Sequence, residues 1–477
     1  MPDRPKILAI LPDEPLPSST GGAVRAWHSL NALSQFANVA AYTLTYGIDE
    51  PQYSFPDGAV CTIFRVPETQ SLPNAKKRRT SSPIKSLLFP WLENGRSLVL
   101  AGQNICMSRS SSPTFSTVHR IYGHLLLRNF SIARRIFKLS PFDIHIRGQL
   151  LDQQLSRIKV DFADKAPDII WVEHTYLFPA AEALESHFPN ALVAVNAHNV
   201  ESELKKGVAL GQTVSLARNW GLQEAENVKD LERRMMRKSW FVSCCSKNDA
   251  KRFSKLILSP KSSNCQLDVT PNGVDTQHFQ KSEPTKAEAR QKIIFTGTAG
   301  YPPNDEAVRW LIRDIWPQVK NRNPEAQLIL AGRNATQYWK PLIHPGDGIQ
   351  LFSDVPDMRP LVSQASVAIV PILSGSGTRL KILEALSMRT PVVSTSLGAE
   401  GLELTPNEEI LIADTADTFG TSVCELLGNP SLQMKLAEKG RAIVERQFDW
   451  RIVRQNLTQA LNDAWQTYGV QSKARAY

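Results

Sequence analysis

What this 477-residue chain lacks narrows its chemistry before any motif is read. Its six cysteines (Cys61, Cys106, Cys244, Cys245, Cys265, Cys424) are scattered without a C-x-x-C pair, which argues against a zinc knuckle or a disulfide framework and fits a reducing compartment. Long apolar runs are missing. The longest uncharged stretch, Pro360 to Thr378, holds two prolines with Ser, Gln and Gly, and reads as a buried strand with its loop rather than a membrane span. Near the start, Asp3 and Arg4 stand beside a strand-like Lys6–Leu11 with no small-residue cleavage site, so no secretory signal is expected. The first strand is not followed by G-x-G-x-x-G, and G-x-x-x-x-G-K-S/T is also absent, which sets aside dinucleotide and P-loop chemistry. No cluster of ligand-type residues suggests a metal.

What is present is an ordinary globular composition, 42 % apolar and 21 % charged, in a chain long enough for two large α/β domains. The formal charge of +9 is unevenly placed. Between Arg65 and Val160 stand sixteen Lys and Arg against four acids, and the remainder is close to neutral. Within that region Arg120, His124, Arg128, Arg135 and Lys138 recur at helical spacing beside Ile121, Leu125, Ile132, Ile136 and Leu139. Such a helix suits an anionic membrane surface or a lipid-phosphate acceptor; a solvated basic face over a sheet has the same pattern. Nucleic acid is not the expected partner, because no aromatic-basic module accompanies the charge.

Apolar runs separated by helical stretches predict strands at 6–11, 39–45, 169–173, 191–196, 241–245, 293–297, 327–331, 367–371 and 391–395, with a helix over Gly21 to Phe36. This is the signature of doubly wound parallel sheets, and the strand–turn–helix start recurs at Ile293 to Trp316. Pro271-Asn-Gly-Val-Asp275 suits a hinge and Lys281 to Arg290 a linker. The expected division is residues 1–280, with a basic insertion at about 67–161, then 281–448, then a helix and tail at 449–477 that packs back on the first domain.

The densest chemical signal is Gly375-Ser376-Gly377-Thr378-Arg379-Leu-Lys381-Ile-Leu-Glu384, between a strand ending at Pro371 and a helix starting near Thr378. Small residues at a helix start offer backbone N–H groups and a positive helix end to a diphosphate, and Arg379 and Lys381 add charge there. Glu384, about a turn and a half along the helix, can accept from two vicinal ribose hydroxyls. Gly21 and Gly22 open a helix after a long loop, where ligand can approach backbone closely. His198, with Glu201 after it, follows a predicted strand, and the carboxyl ends of strands are where open α/β sheets bind ligands. Asn304 and Arg333 follow the first two strands of the second domain.

These residues resemble the large retaining glycosyltransferase family four (glycosyl transferases group 1), in a branch carrying Gly-Ser-Gly-Thr-Arg where most members place the first Glu of an E-x7-E motif. Glu384 matches the second Glu, and Ser376 stands where the first would be. Gly21-Gly22-Ala-Val-Arg25, Asn272-Gly-Val-Asp275, Phe295-Thr-Gly297, Pro303-Asn304 and Ala331-Gly-Arg333 follow in family order, while 67–161 resembles it weakly. The resemblance implies a GT-B fold: two Rossmann-like domains facing a cleft, the N-terminal one on the acceptor side and the C-terminal one binding the nucleotide sugar. It implies transfer of a hexosyl unit, with retention, from a nucleoside diphosphate sugar to a hydroxyl acceptor, and the basic region suits a polysaccharide or lipid-linked glycan precursor in that role. His198 would face the donor sugar, with Glu201 as a second catalytic candidate. Gly21, Gly22, Asn304, Arg333, Gly375, Ser376, Gly377, Thr378, Arg379 and Lys381 would hold diphosphate and sugar, Glu384 the ribose, and the loop at Val355 the base. The basic pair expected after the first strand of the second domain is missing, since Thr298 to Asn304 carries no positive charge.

No D-x-D occurs, which points to leaving-group stabilisation without a metal, and no cofactor is expected beyond the donor. The expected location is cytoplasmic, with peripheral attachment to the inner membrane face through residues 65–160. A nucleotide-sugar 2-epimerase of the same fold and a catalytically degenerate sugar-nucleotide-binding protein share most of these features.

Overall fold

A computed structural model describes residues 4–16, 21–46, 52–55, 60–66, 144–211, 215–257, 265–281, 291–375 and 377–475. Most of the basic region, including the expected helix at 120–139, therefore lies outside the described residues, as do Ser376 and linker residues 282–290.

The first half forms one eight-stranded sheet from β1 (Lys6–Leu11), β2 (Asn38–Tyr46), β3 (Gln52–Ser54), β4 (Val60–Val66), β5 (Ile169–Glu173), β6 (Leu192–Asn196), β7 (Phe241–Cys244) and β8 (Gln266–Val269). Its order is β3-β4-β2-β1-β5-β6-β7-β8, parallel except for β3 against β4. Its central strands are buried on both faces, which is why they read as nearly unbroken apolar runs, as in β1 and β5. Leu8 and Ile10 of β1 face one way, toward α2 (Ile144–Asp161), α3 (Phe178–Glu185), α4 (Glu201–Leu210), α5 (Ser215–Lys238) and α6 (Lys247–Ser254), where Ile158, Leu184, Leu231, Met235 and Phe253 pack. Ile7, Ala9 and Leu11 alternate to the other face, where α1 (Gly21–Phe36) supplies Trp27, Leu30 and Leu33.

The second half forms a six-stranded parallel sheet ordered β11-β10-β9-β12-β13-β14: β9 (Lys292–Thr296), β10 (Gln327–Gly332), β11 (Ile349–Ser353), β12 (Val367–Val370), β13 (Val392–Ser394) and β14 (Leu411–Ile412). Its helices include α7 (Pro302–Trp310), α8 (Leu380–Ser387), α9 (Ala416–Gly428) and α10 (Pro430–Ile443). The strand order reverses between β9 and β12, so the loops leaving these two strands diverge and leave a crevice at the carboxyl edge. In the first sheet the same reversal falls between β1 and β5. The two crevices face each other.

The chain crosses between the sheets twice, side by side. Val274 N–H bonds Phe448 O at 2.8 Å, and Trp450 N–H bonds Val274 O at 3.2 Å. From that crossing α11 (Trp450–Arg475) runs back over the N-terminal sheet, burying Leu457, Leu461 and Ala464 beside α1. The guanidinium of Arg441, on α10, ties the chain just past the first crossing to α8 through Thr276 O (3.0 Å), Phe279 O (3.1 Å) and Ser387 Oγ (2.9 Å).

Candidate donor and acceptor cleft

The N-terminal half of the cleft is organised by a residue that sequence reasoning missed. Glu173 ends β5, buried to 1 % exposure, directly beside Asn196 at the end of β6. Trp171 Nε1 donates to its Oε2 at 2.9 Å, Asn196 Nδ2 to its Oε1 at 2.8 Å, and His198 Nε2 lies 2.7 Å from Oε1. Burial pushes this carboxyl up, but the contacts from His198 and Trp171 outweigh burial and hold it below the usual carboxylate range. An ionised carboxylate only accepts, so His198 must carry its proton on Nε2. Burial in turn depresses the imidazole against the pull of Glu173, so His198 stays neutral and its Nδ1 lone pair is available. A methyl group added at Gly22 would come within 3.7 Å of that Nδ1, so the glycine leaves the approach open.

Glu201 lies elsewhere in this half. It meets His174 Nε2 at 3.3 Å and Asn199 Nδ2 at 3.1 Å, and with burial opposing these contacts its carboxyl sits at about 2. It therefore braces His174 and Asn199, while the acid on His198 is Glu173. His174 is the other residue missed: a non-glycine at φ 92°, ψ 133° just past β5, its Nδ1 accepting from Tyr176 N–H at 3.3 Å. Such backbone strain collects at functional sites because surrounding contacts must enforce it. A sequence signal did exist, since β5 (IIWVE) and β6 (LVAVN) each end an apolar run on one polar residue, and that residue marks the carboxyl edge.

The C-terminal half is built on glycines and charge. Gly332, ending β10, packs so tightly on the β9 turn that a methyl group there would lie 1.7 Å from Gly297 O; no other residue fits. After β12, Gly375 (φ 92°) and Gly377 (φ 87°) carry the chain through left-handed turns into α8, whose N-cap is Arg379. The helix begins at Leu380, two residues later than expected, because Arg379 stays extended and its guanidinium folds back on Gly377 O. Gly377 also abuts the opposite domain, where a methyl group would strike Asn199 Oδ1 at 2.4 Å, and Gly21 at the start of α1 faces Leu380.

Lys381 reaches back across the crevice. Its Nζ lies 4.3 Å from the Phe295 ring centroid and 3.2 Å from Asn304 Oδ1, which brings a cation to the β9 loop that holds none of its own. Burial, then the neighbouring charge of Arg379, lower this amine to about 7. Glu384, one turn on, is pushed up by burial against the pull of Lys381, and its carboxyl makes no hydrogen bond or salt bridge among the described residues. Asn304 also donates to Thr298 O at 2.9 Å. Arg333 projects exposed from the end of β10, with its carbonyl accepting from Ala299 N–H. Val355 is half-buried past β11, after Asp354 (φ 55°) has turned to accept from Asn334 N–H at 3.0 Å. The structure thus gathers Gly21, Gly22, His198, Asn304, Gly375, Gly377, Thr378, Arg379, Lys381 and Glu384 around one cleft, with Arg333 and Val355 toward the β10–β11 side. Among the described residues, no group of three or more His, Cys, Asp or Glu side chains could hold a metal ion.

Two Rossmann-like parallel sheets whose switch points face across a cleft define the GT-B fold. The family model described as "Glycosyl transferases group 1" matches residues 290–429, the C-terminal half of this cleft. A Klebsiella pneumoniae relative, an uncharacterized 44.6 kDa protein in the cps region, is 26 % identical over 164 residues, 33 % of this chain and 42 % of its own. A GDP-mannose-dependent monoacylated alpha-(1-6)-phosphatidylinositol monomannoside mannosyltransferase of Corynebacterium glutamicum is 26 % identical over 208 residues, 40 % and 55 % of the two chains. The chain spans about half the length of the curated relatives it matches. Among solved structures it is similar to sucrose-phosphate synthase of Thermosynechococcus elongatus (TM-score 0.62, 15 % identity, covering 97 % of this chain and 100 % of that one). It is also similar to Anabaena HepE in complex with UDP and glucose (TM-score 0.57, 10 % identity, covering 96 % and 100 %). No helix among the described residues is long and apolar enough to cross a membrane.

Proposed function

We propose that this protein is a glycosyltransferase that moves a hexosyl unit from a nucleoside diphosphate sugar to a hydroxyl of a glycan or lipid-linked precursor, with retention and without a metal. The observation that carries this reading is the unfinished C-terminal half-site. A lysine lowered to about 7, a carboxylate without a partner and a two-glycine turn at a helix start await one ligand bearing both a diphosphate and a ribose. In the reaction the bond from the anomeric carbon to the diphosphate oxygen breaks and a bond to the acceptor oxygen forms. The acceptor proton leaves with the released diphosphate or to solvent. Lys381, Arg379, Arg333 and the start of α8 take up the charge that develops on the leaving group, where fixed dipoles act most strongly. His198 Nδ1 accepts a substrate hydroxyl from the other side, held in aim by Glu173. Domain closure about the paired crossings at Val274 and Asp449 excludes water from the donor.

The acceptor class rests on the basic region at 65–160 and on the mannosyltransferase relative, which acts on a phosphatidylinositol mannoside. Peripheral attachment to the cytoplasmic membrane face belongs to the same proposal. The test is a thermal-shift screen of uridine, guanosine and adenosine diphosphate sugars, followed by turnover of whichever donor stabilises the fold. Turnover abolished in Glu384→Ala and Arg379→Ala supports the assignment; turnover unchanged by both defeats it. Product formed from donor alone, with its sugar epimerised, would make the protein a 2-epimerase instead.

A further inference from the structure

Two sequence motifs remain outside the site as described so far, Arg25 after the Gly21-Gly22 pair and Asn272 at the hinge. Arg25 is buried to 2 % exposure on α1. It donates Nε and Nη2 to Asn196 Oδ1 at 3.2 and 2.8 Å, Nη2 to Thr270 O at 3.0 Å and Nη1 to Asn272 Oδ1 at 3.1 Å. Asn272 then turns its Nδ2 across the cleft to Thr378 Oγ1 at 2.5 Å, in the turn that leads to α8. One hydrogen-bonded series thus runs His198, Glu173, Asn196, Arg25, Asn272, Thr378, from one half-site to the other.

Its polarity is fixed at every step. A guanidinium only donates, so Asn272 must present Oδ1 to Arg25, which leaves its Nδ2, a donor, for Thr378. Thr378 Oγ1 therefore accepts from Asn272, and its own O–H is left to donate elsewhere. On the nucleotide-sugar reading above, the acceptors this hydroxyl would meet beside Gly375 and Gly377 are diphosphate oxygens.

We propose that Arg25 and Asn272 are positioning residues for the donor: they set the Thr378 hydroxyl as a phosphate donor and register that turn against the Glu173–His198 pair. This inference rests on the nucleotide-sugar reading above. It gives a reason for a buried arginine on α1 without a carboxylate in direct contact, since a guanidinium only donates and so forces Asn272 into one orientation.

Asn272→Asp is the decisive variant. An aspartate keeps, and strengthens, the contact to Arg25, but it has no N–H for Thr378. The Thr378 hydroxyl would turn to donate to it and be withdrawn from the phosphate. The experiment measures affinity for UDP and GDP by calorimetry and donor turnover with UDP-glucose and GDP-mannose, in the full chain carrying Asn272→Asp, Thr378→Val, Thr378→Ser and Asn272→Asp with Thr378→Val. The expected result is a loss of about 10- to 100-fold in nucleotide affinity or kcat/KM for Asn272→Asp and for Thr378→Val, the range for a hydrogen bond to a charged group. Thr378→Ser should stay within about threefold of wild type, and Asn272→Asp should cost less than about threefold once Thr378 is already valine. Melting temperatures should not fall in Asn272→Asp, which separates orientation from mere stapling of the hinge. Additive losses in the double variant, or wild-type behaviour of Asn272→Asp, overturn the proposal while leaving the transferase reading intact. Failure of the wild-type chain to bind either nucleotide or turn over either sugar overturns both.

Discussion

The two halves of the cleft are built on opposite principles. In the N-terminal half the central charged and amide groups hold one another: Glu173 collects three donors, Asn196 is bonded at both ends, and Arg25 spreads its guanidinium over three acceptors. Those bonds form as the domain folds, and they leave one atom, His198 Nδ1, aimed and available. In the C-terminal half Lys381 and Glu384 are held against their ordinary ionisation by burial, and neither forms a salt bridge among the described residues. One half is a finished instrument, the other a receptor whose electrostatics close only around a ligand. The difference teaches where stability and binding should part company, and substitution can test it from either side.

The largest effect is expected at the finished half. Glu173→Ala leaves the Trp171 and Asn196 donors and the His198 imidazole without their acceptor inside a buried network. It should destabilise the fold by about 3 kcal/mol, read as a lower urea midpoint at unchanged slope. Donor turnover should fall about 100-fold or more, because His198 loses both tautomer and aim. A variant that keeps its midpoint would show that the network is not prepaid and would erase the contrast.

At the receptor half the signs reverse. Lys381→Met removes a partly desolvated cation that has no carboxylate in contact, and the thioether can lie on the Phe295 ring. Stability should be unchanged or higher, while affinity for the nucleotide sugar falls by about 1.5–3 kcal/mol, or roughly 10- to 100-fold, the range for charge-assisted hydrogen bonds. Calorimetry paired with urea unfolding checks both halves of that statement. Glu384→Gln should behave likewise on a smaller scale. A carboxyl whose folded pKa is raised costs stability at neutral pH, so the amide should be neutral to mildly stabilising. Donor affinity should drop by about tenfold, and affinity for a 2′,3′-dideoxy analogue should not change, because that ligand lacks the hydroxyls the carboxylate would bind.

Much of this architecture was legible in the sequence, and the illegible part has identifiable causes. The central strands and α1 stood out because burial on both faces removes polar residues from them, as in Lys6–Leu11 and Ile169–Glu173. The five strands not anticipated lie at or next to sheet edges: Gln52–Ser54 and Leu411–Ile412 are three and two residues long, Gln266–Val269 and Ile349–Ser353 are only partly buried and carry polar residues accordingly, and Val60–Val66 lies one strand in from the edge. The receptor half-site was legible because it is nearly continuous, residues 375 to 384, with glycines that backbone geometry demands. The finished half-site was only partly so. Glu173 meets His198 from 25 residues away, because β5 and β6 pair in a register that sets Glu173 beside Asn196. Nothing local in IIWVE distinguishes its last residue as the acid for that histidine. Asn272 and Thr378 lie further apart still, on different domains, so their contact follows from how the two sheets face each other.

The smallest effect expected is also the most specific to the receptor half, and it is a matter of protons. With Lys381 at about 7 in the free protein, the amine is largely neutral at pH 8, whereas an unfolded lysine stays charged up to about 10.5. Between those values the unfolded chain binds more protons, so this group's contribution to folding stability rises with pH. Donor binding should run the other way. A diphosphate against Lys381 favours the charged amine and pulls its pKa back up, so binding near pH 8 takes up close to one proton and binding near pH 6 takes up almost none. Affinity should therefore weaken above pH 7, by at most about tenfold per unit, until the pKa of the bound state is reached. A nucleotide sugar is the right probe, since its diphosphate has no terminal phosphate ionisation near neutrality to confuse the count. Calorimetry at pH 8 in two buffers of different ionisation enthalpy measures the uptake directly, and Lys381→Met should abolish it. Uptake that persists in that variant would assign the titration to another group and remove the main reason for regarding the C-terminal half as electrostatically unfinished.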